Sequence, residues 1–272
     1  MSFLLGVIKK AFSSLWMIYR LALLGHGIVQ KGRIFFFLFY SRIRSGREVV
    51  SKSFLIRVGN KKISVAVRNN FSDPYVLYEA FVSHDYDQGL PSEPPWTVFD
   101  VGANVGYVAL YLKVRFPNAR IYCFEPDPDT FVQLKKNISQ FPDMMCYQYA
   151  LGAERGERIF YRSPAFHMRN SLYSRDETDE KIEVKMMTFL DAMNQTGVSH
   201  VDLLKIDIEG GEYEVLKAMP DLGVVTSVVG ELHPFVLSQQ QYSVVREKLE
   251  GAFKLVLRRD NKKEFFYGSS KN

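Results

Sequence analysis

The feature that most constrains this chain is a ten-residue stretch, Thr97-Val98-Phe99-Asp100-Val101-Gly102-Ala103-Asn104-Val105-Gly106. A run of strand character enters a turn holding two glycines, and a helical pattern, YVALYLKV, follows. Nineteen residues after Gly106 comes Glu125, closing a second strand-like run, Ile121-Tyr122-Cys123-Phe124. A glycine turn between strand and helix lets a ligand approach the backbone, and the first turn of the helix offers free N–H groups. An acid at the tip of the neighbouring strand suits a ribose diol. Together these residues point to a pocket for a nucleoside-bearing cofactor, with Pro126 beside the acid.

The spacing discriminates among such cofactors. A dinucleotide site needs G-x-G-x-x-G. Here the order is D-x-G-x-N-x-G, with Asn104 at the middle position and no third glycine on the helix. A phosphate-binding G-x-x-x-x-G-K-[ST] loop is absent. An acid two residues before the first glycine fits a cofactor with a cationic amino acid tail, and S-adenosylmethionine is one. A nicotinamide-dependent oxidoreductase is the enzymatic alternative, disfavoured by the missing glycines. A non-catalytic binding protein on a methyltransferase scaffold is the other.

From Trp96 onward strand and helix patterns alternate. Strands are expected at 97–101, 120–124, 145–149, 201–206, 224–230, 252–258 and 263–268, and helices at 105–115, 128–140, 211–219 and 238–250. Alternation of this kind predicts a doubly wound α/β fold with a mostly parallel, seven-stranded sheet. The last two strands are joined by RRDNK alone and must run antiparallel. Two β-like segments, 157–162 and 181–187, interrupt the order, with the polar loop 163–180 between them. In such sheets ligands gather beyond the C-terminal strand ends, where Asp100, Glu125, Ala150 and Asp207 are expected to meet.

A second informative stretch is Val201-Asp202-Leu203-Leu204-Lys205-Ile206-Asp207-Ile208-Glu209-Gly210-Gly211-Glu212. Strand alternation would put Lys205, Asp207 and Glu209 on one side, at the lip of the pocket. A carboxylate pair with a lysine can hold a hydroxyl and help remove its proton. Glu209 and Glu212 would equally suit capping of the helix that follows. Gly230-Glu231-Leu232-His233-Pro234 closes the fifth strand and offers His233 as a further base or orienter. Candidate catalytic residues are therefore Asp207, Glu209 and His233. No G-x-S-x-G elbow occurs. The five histidines do not cluster in sequence and the two cysteines lack metal-site spacing, so no metal is expected. Cys123 and Cys146 read as buried free thiols of a reducing, cytoplasmic compartment. Ser72-Asp73-Pro74-Tyr75 reads as a helix start.

Residues 1–70 hold 13 Lys/Arg and one acid, whereas the remaining 202 hold 22 Lys/Arg and 29 acids. That asymmetry defines a basic arm, 1–48, followed by a hairpin and helix extension, 49–95, with its turn at Gly59-Asn60, and a catalytic body, 96–272. The arm is apolar as well as basic, yet its longest uncharged runs fall well short of the roughly 18 residues of a membrane span. Ser2, Lys9, Ser13 and Arg20 share one helical sector. Residues 1–45 then either lie in a membrane surface or form a core-packing helix pair with a solvated cationic edge. Nucleic acid is not an expected partner, because no dense Lys/Arg run with stacking aromatics is present.

DVGANVGYVALYL (100–112), FEPDPDTFVQLKKNI (124–138), YALGAERGE (149–157) and VDLLKIDIEGGEYEVLKAM (201–219) together resemble the FkbM family of S-adenosylmethionine-dependent methyltransferases. YEAFVSHDYD before them and GELHP after them also fit. The resemblance implies a class I methyltransferase fold and methylation of a hydroxyl oxygen on a sugar, glycan or related small molecule. It assigns the methionine end to Asp100, Gly102, Asn104 and Gly106, with Ala103 between them, the ribose to Glu125, and a further cofactor contact to Asp207. Tyr149-Ala150-Leu151 stands where an acid often flanks the adenine, so Ala150 would hold it by backbone and packing. The first 70 residues lie outside the resemblance.

Overall fold

The computed structural model describes residues 2–43, 49–163, 167–260 and 263–271. Parts of three sequence expectations lie outside them: residues 1 and 44–48 of the arm, 164–166 of the polar loop, and 261–262 of the last turn. The chain forms two compact units, 1–85 and 86–272.

The first unit begins with two helices, α1 (Ser2–Leu23) and α2 (Gly27–Ile43). A hairpin follows, β1 (Ser51–Val58) and β2 (Lys61–Arg68), antiparallel in full register. Gly59 turns it with φ +57°, a conformation glycine adopts without steric cost. Ile18, Leu21, Ile34 and Leu38 are buried with Phe54 and Ile56 of the hairpin. The turn between the helices is stitched to β1: His26 N donates to Leu55 O (2.9 Å) and Arg57 N to Leu24 O (2.7 Å). At Ser72 a short helix, α3 (Ser72–Tyr78), starts and continues as one π turn over Glu79–Ser83. Its first turn is locked by Asp73, which accepts from Arg68 N (2.9 Å) and pairs with the Arg68 guanidinium (2.8 Å). Among the described residues no helix is long and apolar enough to cross a membrane.

The second unit carries a seven-stranded sheet. Its strands are β3 (Thr97–Val101), β4 (Arg120–Phe124), β5 (Met144–Tyr147), β9 (Val201–Ile206), β10 (Val225–Leu232), β11 (Phe253–Asp260) and β12 (Lys263–Ser270), in the order β11-β12-β10-β9-β3-β4-β5. The five strands from β5 to β10 run parallel, and β12 is antiparallel to both its neighbours. From β3 the chain winds outward through β4 and β5 and then returns to β9 on the other side of β3. The order of winding therefore reverses between β3 and β9, which is where an open α/β sheet binds ligands. This is the doubly wound, mostly parallel sheet expected from the alternating pattern, and the class I methyltransferase arrangement that the family resemblance implies. Helices α4 (Tyr107–Arg115), α5 (Pro128–Ile138), α7 (Glu212–Ala218) and α8 (Gln239–Ala252) connect the strands.

One segment departs from expectation. Ala150–Leu151 leaves the main sheet as β6 and pairs with β8 (Glu180–Met187), which also pairs with β7 (Gly156–Arg162) in a separate three-stranded sheet. Ala150 is thus not the tip of the third parallel strand, which ends at Tyr147. After β8 an unanticipated helix, α6 (Phe189–Thr196), begins with a reciprocal Thr188–Asp191 cap. It delivers Phe189 and Met193 into the main core beside Phe99, Phe124, Leu204 and Ile206. Cys123 and Cys146 are register partners on β4 and β5, both free thiols, the first buried and the second half-buried.

Candidate active site

The turn after β3 is built by close backbone approach. A Cβ on Gly102 (φ +79°) would lie 2.0 Å from Asp207 O, and one on Gly106 (φ +85°) would lie 2.6 Å from Leu134 Cδ1. The glycine at 102 is therefore required by the neighbouring strand tip, rather than only by a ligand. Gly102 N and Ala103 N both donate to Phe124 O at 3.0 Å, tying the turn to β4. Asn104 takes a left-handed conformation (φ +49°), tolerable for asparagine, and its Oδ1 accepts from Val105 N at 2.8 Å.

Glu125 is locked by the same turn. Its Oε2 accepts from Asn104 N (3.0 Å) and its Oε1 from Asp127 N (3.0 Å). Each oxygen keeps a second lone pair, directed acceptor capacity of the kind a diol uses. Burial pushes the Glu125 carboxyl up to about 8, although the two N–H groups and Lys205 pull it down. Pro126 beside it is half-buried, as are Gly102 and Asn104.

Asp100 and Lys205 face each other across β3 and β9. Asp100 is fully buried, with Lys205 Nζ 3.0 Å from its Oδ1. Lys205 also donates to Gly102 O at 2.8 Å. Burial would lower the lysine, but Asp100 and Asp207 outweigh it and hold the ammonium charged. This corrects one expectation. Lys205 is 2% exposed and braces the strand joint instead of standing at the pocket lip. Asp100 lies beside it, buried at the end of β3 and next to the glycine turn.

Beyond Ile206 the strand geometry ends, and with it the alternation that grouped Lys205 with the two acids. Asp207 N still donates to Val101 O (3.1 Å), and its side chain, 24% exposed, accepts from Tyr86 OH at 2.8 Å. Glu209 has φ +56°, a strained value for a residue with a side chain. Three contacts hold it there: Ser171 Oγ donates to its carbonyl (2.7 Å), Arg175 Nη2 donates to the same carbonyl (3.0 Å), and Arg175 pairs with its carboxylate (2.6 Å). The Arg175 guanidinium lies over the Phe235 ring, 5.0 Å from its centroid. Burial raises the Glu209 carboxyl, and the nearby Asp207 adds to the effect, against His233 and Arg175.

His233, from the end of β10, is 2% exposed. Its Nδ1 lies 3.0 Å from Glu212 Oε1, which also accepts from Ile208 N (3.1 Å) and Gly210 N (3.3 Å). Its Nε2 faces three acids: Glu209 at 3.3 Å, Glu231 at 3.4 Å and Asp207 at 3.9 Å. Burial alone would lower the imidazole, but Glu212, Glu209 and Glu231 raise it well above its usual value. Asp207, Glu209 and His233 thus come together, and Glu212 serves both as turn cap and as orienter of the ring. Tyr86, Ser171 and Arg175 were not among the sequence candidates. Tyr86 lies 121 positions from its partner, and Arg175 sits in a loop with no local motif.

A turn built on Gly102 and Gly106, an acid at the next strand tip and a carboxylate pair across the switch point gather at the C-terminal ends of β3, β4 and β9. The family model for the methyltransferase FkbM domain matches residues 100–260, which spans every one of these elements. The chain belongs to the FkbM methyltransferase family. The hexuronic acid methyltransferase AglP of Haloferax volcanii is 30% identical over 138 residues, covering 50% of this chain and 55% of that protein. The 31-O-demethyl-FK506 methyltransferase FkbM of Streptomyces tacrolimicus is 29% identical over 198 residues, covering 60% and 76%. A crystal structure of methyltransferase FkbM from Methylobacillus flagellatus overlays with a TM-score of 0.48 at 10% identity, covering 96% of this chain and 60% of that one. The first 99 residues of this chain lie outside the family match.

Proposed function

We propose that the protein is an S-adenosylmethionine-dependent O-methyltransferase acting on a hydroxyl of a sugar, glycan or related small molecule. The observation that carries this reading is Glu125, a buried carboxyl held by two backbone N–H groups at the tip of the strand beside the glycine turn. The half-buried Gly102, Asn104 and Pro126 and the partly exposed Asp207 fit the rest of such a cofactor. When bound, S-adenosylmethionine supplies an electrophilic sulfonium methyl, which moves to the acceptor oxygen while sulfur keeps the bonding electron pair.

The chain's own task is orientation and proton removal. Ser171 and Arg175 fix the Glu209 backbone, and Tyr86 fixes Asp207, so both carboxylates stand preorganised at the cleft. The hydroxyl proton passes to this pair. Glu209 suits the role because burial makes its carboxylate more basic than usual. His233 is an orienter, not the base, since the acids around it keep Nε2 occupied by a proton.

That relatives are named for a hexuronic acid and for 31-O-demethyl-FK506 supports an oxygen acceptor for this chain too. The test is transfer of label from methyl-labelled S-adenosylmethionine to a panel of uronic-acid oligosaccharides, neutral glycans and polyketide alcohols. Label in an alkali-stable methyl ether is expected from the wild type and not from an Asp207→Asn, Glu209→Gln double variant. Transfer only to amines or thiols would overturn the oxygen assignment.

We also propose that the arm rests on an anionic membrane surface. Phe12, Leu15, Trp16, Tyr19 and Leu23 form one exposed stripe along α1, and Phe36 and Tyr40 are exposed on α2. Residues 1–47 contain no acid. Two copies of so cationic a face repel one another, whereas acidic headgroups attract it and the apolar stripe enters the interface.

A further inference from the structure

Glu125 is held by the backbone of its own loop, and that loop is held in turn from outside the main sheet. Asp127, whose N–H donates to Glu125 Oε1 at 3.0 Å, is also the cap of α5: its Oδ1 accepts from Thr130 N at 2.8 Å. The other oxygen of the cap is taken by Arg162, whose Nε donates to Asp127 Oδ2. Both side chains are enclosed, 15% exposed for Arg162 and 3% for Asp127. Arg162 is the last residue of β7, so it reaches this loop from the separate three-stranded sheet. Its Nη1 faces two further acids, Asp129 at 3.2 Å and Glu180 at 3.8 Å, and both of these are solvent-exposed. Ion pairs with such solvated partners contribute little. The enclosed contact with Asp127 matters more, because a buried carboxylate that loses its cation is left uncompensated.

Burial raises the Glu125 carboxyl and the Asp127 charge adds to it, while the Asp127 and Asn104 N–H groups and Lys205 from β9 oppose both. Asp127 therefore acts on Glu125 twice, favourably through its N–H and unfavourably through its carboxylate. A guanidinium on the carboxylate cancels the unfavourable part and leaves the favourable one. We propose that Arg162 is a positioning residue for Glu125: by pairing with Asp127 it pins the N–H that Glu125 accepts and neutralises the charge that would otherwise crowd the carboxylate when a ribose diol binds. The diol rests on the methyltransferase reading, whereas the tie from Arg162 to Glu125 does not. No local motif announces the pairing, since Arg162 lies 35 positions from Asp127. Without Arg162 the ionised form of Glu125 is further disfavoured, so the carboxyl titrates above its wild-type midpoint of about 8. A ligand that needs the carboxylate then binds more weakly below that midpoint and recovers at higher pH.

The test follows the Glu125 carboxyl by carbon-13 NMR titration of the ligand-free full chain, assigned with Glu125→Gln, alongside calorimetry of S-adenosylhomocysteine across the same pH range. Arg162→Gln should move the midpoint up by about one pH unit, which is about a tenfold loss of S-adenosylhomocysteine affinity below it. Arg162→Lys, which keeps the charge, should move it much less. Adding Asp127→Asn to Arg162→Gln keeps a helix cap and removes the anion, so the midpoint should return to the wild-type value or lower. Asp129→Asn, at the exposed rim of the same cluster, should leave it unchanged. An arginine that only anchors β7 would lower the melting temperature in Arg162→Gln without moving the midpoint, and that result overturns the proposal. A midpoint that moves and is not restored by Asp127→Asn overturns it too. If Arg162→Gln does not fold, Asp127→Asn alone is compared with the double variant. Both lack the buried anion, and the midpoint should be lower where Arg162 is present; equal midpoints overturn the proposal. The expected midpoints with no S-adenosylhomocysteine bound by the wild type would uphold the tie from Arg162 to Glu125 and sink the cofactor reading.

Discussion

At Glu125, burial and hydrogen bonding pull in opposite directions, and burial wins, leaving a carboxyl that titrates near 8. Without ligand the folded protein therefore holds this proton through a range where the unfolded chain, ionising near an ordinary 4.5, has lost it. The folded state binds more protons there, so this residue's contribution to stability falls as pH rises from about 4.5 to 8. A ribose diol donating to the carboxylate favours the ionised form. Affinity for S-adenosylhomocysteine should then rise with pH up to about 8, with a proton released on binding. Calorimetry in buffers of different ionisation enthalpy reads that proton directly, and uptake instead of release would contradict it. Lys205 makes a second prediction at this scale. Lys205→Met leaves Asp100 buried without its cation, which should cost about 3–5 kcal/mol in urea denaturation. Adding Asp100→Asn should recover much of the loss, and a single variant within 1 kcal/mol of wild type would show that the pair is not a brace.

Elements differ in how openly the sequence announces them. Strands β3, β4 and β9 match their expected limits residue for residue, because each is a short apolar run bounded by turn residues. Helix α6 went unread: eight residues are too few to show a period, and its cap pairs Thr188 with Asp191 where a Glu or Gln is usual. β6 was not anticipated because two residues carry no pattern, and its pairing with Met186 and Met187 is what separates it from β5. The α1–α2 pair carries its own prediction. Because α1 presents Phe12, Trp16 and Tyr19 outward and has no acid, the full-length chain should float with vesicles containing phosphatidylglycerol and not with phosphatidylcholine alone. Trp16→Ser with Phe36→Ser should reduce flotation several-fold. Equal flotation with both lipids would contradict the anionic preference, and none with either would remove the arm from the membrane.

For the whole molecule, what could be read in advance was whatever is local. The glycine turn, the acid 19 residues beyond it and the strand-to-helix alternation are each contained within about 30 residues, and they carried the fold and the juxtaposition of the 102–106 turn with Glu125. The proposed acceptor end is non-local. Tyr86, Ser171, Arg175, Asp207 and His233 come from four separate segments, and the left-handed turn at Glu209 ends the strand alternation that grouped Lys205, Asp207 and Glu209. Lys205 shows the same limit, since its burial follows from Asp100 lying opposite it on another strand. The central claim is that the turn at 102–106 and the carboxyl at 125 hold the nucleoside of S-adenosylmethionine. Titration calorimetry of S-adenosylhomocysteine into wild-type protein and Glu125→Gln tests it most directly. One ligand per chain and at least a tenfold loss in a folded variant are expected, whereas no binding, or binding that ignores position 125, would contradict it.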